Sequence, residues 1–134
     1  MTNCVTEIKE ADVIFVTGSN TTENHPVMGM YIRQAKKAGK KLIVADPVRI
    51  PLAEIADVYL QINPGTSVAL SNGMIHVIFA EGLEDKEYIE KHCEGADELR
   101  EFVKEYTPER VAEICGVDKD LIIQAARLYA TNRS

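Results

Sequence analysis

Two short polar stretches follow apolar runs and carry side chains suited to holding a phosphate or a nucleotide. The first, residues 18–26, reads GSNTTENHP and follows the apolar run 13–16. The second is the Asp-Pro pair at 46–47, after the apolar run 42–45. Where a parallel strand ends in small hydrogen-bonding residues and a helix follows, the loop amides and the helix N-terminus stabilise phosphate. The pattern therefore predicts a nucleotide-like ligand, held by main-chain amides and by the hydroxyl and amide side chains of residues 20–22.

Asp46 is the candidate for binding the ribose, at the end of such a ligand away from the phosphates. The second strand of a nucleotide-binding βαβ unit conventionally ends in a carboxylate that binds ribose hydroxyls. Asp-Pro is also a common way to begin a turn, so a purely structural role stays open. Arg49 can pair either with a phosphate or with Asp46. Residues 64–67, PGTS, repeat the loop-to-helix arrangement and predict a second contact to an anion or a base.

Several other kinds of site are disfavoured. The stretch GSN lacks the later glycines of GxGxxG, which argues against a dinucleotide such as NAD. No Ser/His/Asp set is present, and the thiol of Cys4 has no base nearby in the sequence, so no catalytic residue is predicted. The three cysteines form no CxxC pair, which argues against a disulfide framework and against a metal site.

The overall composition limits the partners and the compartment. A formal charge of −6 argues against nucleic acid, which proteins bind largely through Lys and Arg. No apolar run approaches the roughly 18 residues that a membrane span needs, so no membrane insertion is expected. Widely spaced cysteines are typical of reduced thiols, and we expect a cytoplasmic protein.

The elements that must position these loops follow from the apolar periodicity. Continuous apolar runs predict buried parallel strands over 12–17, 41–45 and 57–62, in a mixed α/β fold with flanking helices. A helix over 26–38 should present one face made of Val27, Met30, Tyr31, Gln34, Ala35 and Ala38.

The chain is long enough for one domain, residues 1–134. Within it, a βαβ core over 1–82 precedes a helical C-terminal extension over 83–134. In that extension, Leu99, Phe102 and Val103 are expected to point inward.

The loops give the chain a family resemblance. The stretch GSNTTENHP, the Ala-Asp-Pro at 45–47, the Pro-Gly-Thr at 64–66, residues 1–3 and the helical tail through 125–130 are similar to the molybdopterin oxidoreductase superfamily. Within it, the closest likeness is to the catalytic (alpha) subunits of formate dehydrogenases. Two positions depart from the family's pattern: Val48 stands where arginine is usual, and Ser67 where aspartate is frequent.

The resemblance implies a Rossmann-like domain that binds molybdopterin guanine dinucleotide carrying molybdenum or tungsten. It implies that Gly18, Ser19, Asn20 and Glu23 line the diphosphate. It further implies a ribose and guanine end formed by Asp46 and Arg49, with Gly65, Thr66 and Ser67 beside them.

The parent reaction implied by the resemblance is oxidation of formate to carbon dioxide. Met1 matches an internal methionine of the family, so the chain is expected to be an internal piece of a longer polypeptide. The family's iron–sulfur cysteines and metal ligand lie outside it. The chain alone should then be inactive and without cofactor, and its partners would be the remaining domains and electron-transfer subunits.

Three alternatives remain open from the residues alone. One is a self-standing nucleotide-binding module without redox activity, which would bind a free guanine nucleotide tightly. A second is a fragment of a related molybdoenzyme such as nitrate reductase, and a third is the central domain of a thiamine diphosphate enzyme. In the favoured interpretation, Gly18, Asn20 and Asp46 face one groove at the carboxyl edge of the sheet.

Overall fold

Three short parallel strands form the centre of the fold in the computed structural model, which describes residues 4–132. The strands are β1 Val13–Thr17, β2 Lys41–Ala45 and β3 Val58–Leu60, in the spatial order β1-β2-β3. The predicted α/β class with a small parallel sheet is confirmed. Residues 1–3, which carry part of the family resemblance, lie outside the described residues.

The third strand is shorter than the predicted 57–62. The amide of Ile62 donates to the carbonyl of Leu60 at 3.0 Å, so the chain turns away from the sheet directly after Leu60. Its neighbour β2 is followed by Asp46 and Pro47, and proline has no N–H with which to extend a ladder. The pairing therefore stops at Leu60.

Helices cover both faces of this sheet. The described helices are α1 Thr21–Asn24, α2 Pro26–Lys37, α3 Ser67–Glu81, α4 Lys86–His92, α5 Ala96–Phe102, α6 Pro108–Cys115 and α7 Lys119–Ala130. Single 3₁₀ segments occupy Val5–Lys9, Ala53–Ile55 and Val103–Glu105. Within residues 4–132, no helix combines the length and the apolar character needed to cross a membrane.

The strand residues alternate between two hydrophobic clusters. One face of the sheet, with Ile43 and Ala45 of β2, packs against α3, α6 and α7. The other face, with Leu42 and Val44, packs against Ile32 of α2 and the segment 50–53. The last four residues of β2, 42–45, have no exposed surface, because the strand has a neighbour on each side and helices or loops above and below. The carboxyl edge of the sheet is thereby held rigidly.

The predicted face of α2 is partly wrong: Ala35 is buried as expected, but its predicted neighbours Val27 and Met30 are not. Val27 is 62% exposed and Met30 is 46% exposed, whereas Gly29, Ile32 and Ala35 are buried. The cause is α1, a short helix that the sequence patterns did not predict. A Cβ on Gly29 would lie 3.1 Å from the carbonyl oxygen of Thr21, so α2 turns its glycine toward α1.

The expectation for the end of α5 is also partly wrong. Val103 is buried, but Leu99 is 39% exposed and Phe102 is 53% exposed. The α-helix ends at Phe102 and a 3₁₀ turn follows, so only Val103 turns toward the core.

His76 has a structural role in this part of the fold. Its Nδ1 atom donates a hydrogen bond to the carbonyl of Val103 at 2.9 Å.

Asp57 joins three elements at the amino end of the sheet. Its carboxylate accepts from Nζ of Lys36 at 2.8 Å and from the amide of Leu42 at 2.7 Å, while its own amide donates to the carbonyl of Leu42. Desolvation by itself would raise the pKa of Asp57. The hydrogen bonds from Lys36 and Leu42, with the charges of Lys36 and Lys41, outweigh it and hold this pKa below its usual value.

We expect Asp57→Asn to lower the free energy of unfolding by about 1 kcal/mol at pH 7, because it removes a charged partner from these bonds. Since the folded pKa is lowered, the stabilisation is fully present above the unfolded value of about 3.9 and disappears as the pH falls through the folded pKa. Urea denaturation at pH 7 and pH 3 measures both effects. Glu54→Gln, at an exposed carboxylate, is the control. If the difference in free energy of unfolding between the wild-type chain and Asp57→Asn is the same at both pH values, the account is contradicted.

Candidate functional site

The three strand ends bring their loops to the same edge of the sheet. Thr17 pairs with Ala45 and Ala45 pairs with Leu60, so the strands end level with one another. The amide of Gly18 donates to Ala45 O at 3.2 Å, and the amide of Asp46 donates to Leu60 O at 3.2 Å. Gly18 and Asp46 thus stand on neighbouring strands, about 5 Å apart at the usual strand spacing.

Gly18 allows the first loop to turn sharply. Its φ is +57°, in the left-handed region that side chains other than glycine rarely adopt. A Cβ built on it meets no atom within 4 Å, so the space beside it is open. The loop can therefore approach a ligand closely with its backbone.

Three polar side-chain atoms in this loop are buried without a hydrogen-bond partner. They are Oδ1 of Asn20 and the Oγ1 atoms of Thr21 and Thr22. Thr21 is only 3% exposed. A buried polar group with no partner costs about 1–3 kcal/mol, so most folds avoid such groups unless a ligand completes them. The two hydroxyls can donate to the oxygens of a diphosphate, whereas Oδ1 of Asn20 can only accept, so Asn20 would bind phosphate through its Nδ2 atom and leave Oδ1 for a donor group.

The other predicted residues of this loop are less enclosed. Ser19 is half-buried, and Glu23 is exposed on α1. The carbonyl of Asn20 accepts the amides of Glu23 and Asn24, which forms the first turn of the short helix. His25 precedes α2, and its exposed side chain does not cap that helix.

Asp46 is buried at the end of β2, with 8% of its surface exposed. Its Oδ1 accepts the amide of Val48 at 2.8 Å, and its backbone carbonyl accepts the Tyr59 hydroxyl at 3.2 Å. Burial raises the pKa of Tyr59, and the Asp46 carboxylate raises it further, while Arg49 acts in the opposite direction. The carboxylate therefore has one oxygen committed to a turn and a second that can accept from a ligand.

Arg49 does not neutralise Asp46. It is exposed, and among the ion pairs formed within residues 4–132 it is not a partner of Asp46. The pairing of Asp46 with Arg49 that the sequence left open is thus not formed. The guanidinium remains at the surface, three residues after Asp46, where an anion can reach it.

The third loop leads into α3. Gly65 has φ +82°, and Thr66 precedes the helix with its hydroxyl donating to Asn63 O at 2.7 Å. Because that hydroxyl faces backward, no side chain caps the first-turn amides of α3. Ser67, the first residue of the helix, is exposed. The N-terminus of this 15-residue helix is consequently open to an acceptor group.

A cavity of about 730 Å³ lies between the second and third loops, and the sequence patterns missed part of its lining. It includes Tyr59, Gln61 and Asn63 together with the turn between α6 and α7. Gln61 donates to the carbonyl of Pro47 at 3.3 Å and so links the two loops. Gln61 and Asn63 come shortly after β3, and that position in the sequence could have identified them.

Comparison with known proteins decides the family. The sequence model described as "Molybdopterin oxidoreductase" matches residues 1–134. The chain belongs to the molybdopterin oxidoreductase family. It is 52% identical to a formate dehydrogenase alpha subunit of Methanocaldococcus jannaschii over 129 residues, covering 96% of the chain and 19% of that relative.

Other relatives of the chain are named for different substrates. It is 43% identical to a nitrate reductase of Symbiobacterium thermophilum, covering 90% of the chain and 17% of that protein. The solved structure of acetylene hydratase from Pelobacter acetylenicus superimposes with a TM-score of 0.85 at 38% identity, covering 95% of the chain and 19% of the hydratase. The chain thus spans 19% or less of the length of each of these relatives.

The described residues contain no metal site of their own. Across 4–132, no three His, Cys, Asp or Glu side chains are grouped so that they could hold a metal ion. Cys4 and Cys93 are exposed and Cys115 is buried, and burial raises the pKa of the Cys115 thiol. What the edge offers is hydrogen-bonding capacity for a polar ligand.

We expect Thr21→Val to raise the free energy of unfolding of the ligand-free chain by about 1 kcal/mol, because it removes a buried hydroxyl that has no partner. Thr66→Val is the matched control. It removes a hydroxyl that donates to Asn63 and should lower the stability by about 1 kcal/mol. Urea denaturation of both variants measures the two changes. If Thr21→Val destabilises as Thr66→Val does, the Thr21 hydroxyl has a structural partner, and the loop is not a ligand site.

Proposed function

We propose that this chain is the part of a formate dehydrogenase-type oxidoreductase that binds molybdopterin guanine dinucleotide. The observation that carries the proposal is the set of partnerless polar atoms at residues 20–22, on the loop that follows β1. Membership in the molybdopterin oxidoreductase family supplies the class of ligand. A dinucleotide form of the cofactor carries a diphosphate that these hydroxyls can bind, and its guanine base is proposed from the family resemblance.

A cofactor role fits the relatives better than a substrate role does. Relatives named for formate, nitrate and acetylene are similar to this chain over at least 90% of its length. A segment shared by enzymes that act on such different molecules would serve what they have in common. The substrate itself, formate, is proposed from the formate dehydrogenase with 52% identity.

The first loop would hold the diphosphate. Gly18 and Ser19 would present backbone amides, and Asn20 would donate from its carboxamide. Thr21 and Thr22 would add their hydroxyls. Glu23 can only accept hydrogen bonds when it is ionised, so we assign it to donor groups of the ligand instead of phosphate oxygens.

The second and third loops would hold the ribose and guanine. Asp46, with one carboxylate oxygen already used by Val48, would accept from ribose hydroxyls or from the donor edge of guanine through the other. Arg49 would pair with a phosphate, and Gly65, Thr66 and Ser67 would contact the base or its sugar. The helix N-terminus behind them favours an acceptor group at this position.

The bound cofactor would supply the molybdenum or tungsten centre at which formate is oxidised to carbon dioxide. This chain would bind the cofactor, orient it and provide part of its electrostatic environment. We assign no catalytic residue to it and expect no formate-dependent dye reduction by the chain alone. The remaining domains of the enzyme and its iron–sulfur electron-transfer subunits would be its partners, in the cytoplasm.

A titration of the ¹⁵N-labelled chain with GDP tests the proposal. We expect amide shifts confined to residues 18–23, 46–49 and 65–67, with a Kd of about 1 mM or weaker, because the chain alone encloses only part of the ligand. ADP should bind more weakly, since the second and third loops would read guanine. Shifts elsewhere, or none, would overturn the proposal, and a Kd of about 1 μM would favour a self-standing nucleotide-binding module.

Asp46→Asn separates the ligand role of Asp46 from its structural one. Asparagine retains the acceptor for the Val48 amide but loses the charge, so the free energy of unfolding should change by less than about 0.5 kcal/mol. GDP affinity should fall about tenfold, the equivalent of 1.4 kcal/mol.

Asp85→Asn is the matched control, because Asp85 likewise accepts an amide, that of Tyr88, at a distant helix start. It should leave GDP binding unchanged. Equal affinity of wild-type and Asp46→Asn chains would remove Asp46 from the site.

A further inference from the structure

A second cavity, remote from the three loops, lies between α4 and α5 and has a volume of about 600 Å³. We propose that it is a docking pocket for an arginine side chain presented by a basic segment of a partner protein. This inference is independent of the cofactor proposal. It depends on one buried carboxylate, on the charges around it and on two helices that contain no buried residue.

Glu84 is the carboxylate that points to a missing partner. Its side chain is only 4% exposed and lines the cavity. Oε1 accepts from Nη2 of Arg100 at 3.2 Å, but Oε2 is buried with no hydrogen-bond partner. Arg100 bonds only one of the two oxygens, and its guanidinium lies over the ring of Phe79, 4.8 Å from its centroid. A second donor would remove the cost of the partnerless oxygen.

The walls of the cavity are predominantly acidic. Besides Glu84 they include Glu90, Asp97 and Glu98, against which stand the positive charges of Lys86 and Arg100. Four carboxylates and two cations leave an excess of negative charge. The cavity is therefore complementary to a cationic group.

Exposed apolar side chains occur on the same two helices. Tyr88 on α4 is 59% exposed, and Leu99 and Phe102 on α5 are 39% and 53% exposed. Neither helix contains a buried residue. These apolar side chains do not line the cavity but lie on the helices that form it, and a protein segment could contact both, which a free small cation could not.

Arginine fits this pocket better than a metal ion or a second copy of the chain. No three metal-ligating side chains are grouped here or elsewhere in residues 4–132. A guanidinium offers several N–H groups in one plane and can bond Oε2 of Glu84 and a rim carboxylate together. A second copy would bring its own excess of acid, since the chain holds 21 acidic and 15 basic residues.

The test is a titration of the ¹⁵N-labelled full chain with N-acetyl-arginine amide, followed by amide shifts. The neutral isostere N-acetyl-citrulline amide is the matched control ligand. We expect shifts in residues 84–100 with the arginine compound and at least fivefold smaller ones with citrulline. Glu84→Gln should weaken the arginine response at least fivefold. Glu113→Gln, an exposed glutamate of α6 outside the cavity, should leave it unchanged.

Each other outcome overturns the proposal. Equal responses to arginine and citrulline would mean that charge does not select the ligand. An unchanged response in Glu84→Gln would remove Glu84 from the pocket. Amide shifts of residues 84–100 that depend on protein concentration, with no ligand added, would assign the surface to a second copy of the chain. Should Glu84→Gln fail to fold, the rim variant Glu98→Gln must weaken binding, and equal affinity would refute the pocket.

Discussion

Parallel pairing in register, with both faces of the sheet covered, is the constraint on which the rest of this structure depends. Thr17, Ala45 and Leu60 end their strands level with one another, so the chain leaves the sheet at the same edge after each strand. Burial of β2 on both faces keeps that edge in place. The three loops converge because the strands that precede them cannot slide without moving their apolar side chains out of the core.

The carboxyl edge of the sheet carries buried polar groups without partners, and the burial of the apolar core must offset the free energy that they cost. Partnerless atoms of Asn20, Thr21 and Thr22 lie within a few residues of fully buried strand positions. Net stability of a domain is small, so such groups are retained only where another gain compensates. At this edge the proposed gain is ligand binding. The partnerless oxygen of Glu84 is likewise buried at a cost, but it would be satisfied by a donor with positive charge and not by a phosphate.

Much of the fold could be predicted from the sequence because its signals are local. The strand runs, the prolines at the starts of α2 and α6, and the caps at Asp85, Thr107 and Asp118 act within a few residues of themselves. The orientation of α2 could not be predicted, because it depends on α1 packing against Gly29. Likewise, the exposure of Leu99 and Phe102 depends on which elements lie nearby, and an apolar pattern does not contain that information.

The candidate site divides in the same way. The positions of Gly18 and Asp46 at one sheet edge followed from strand ends, whereas Gln61 and the α6–α7 turn reach it through tertiary packing. The most direct measurement is a crystal structure of the cofactor-loaded enzyme that contains this chain. The account predicts diphosphate oxygens within about 2.7–3.2 Å of the side chains of Asn20, Thr21 and Thr22. A diphosphate bound elsewhere, with those atoms still lacking partners, would contradict it.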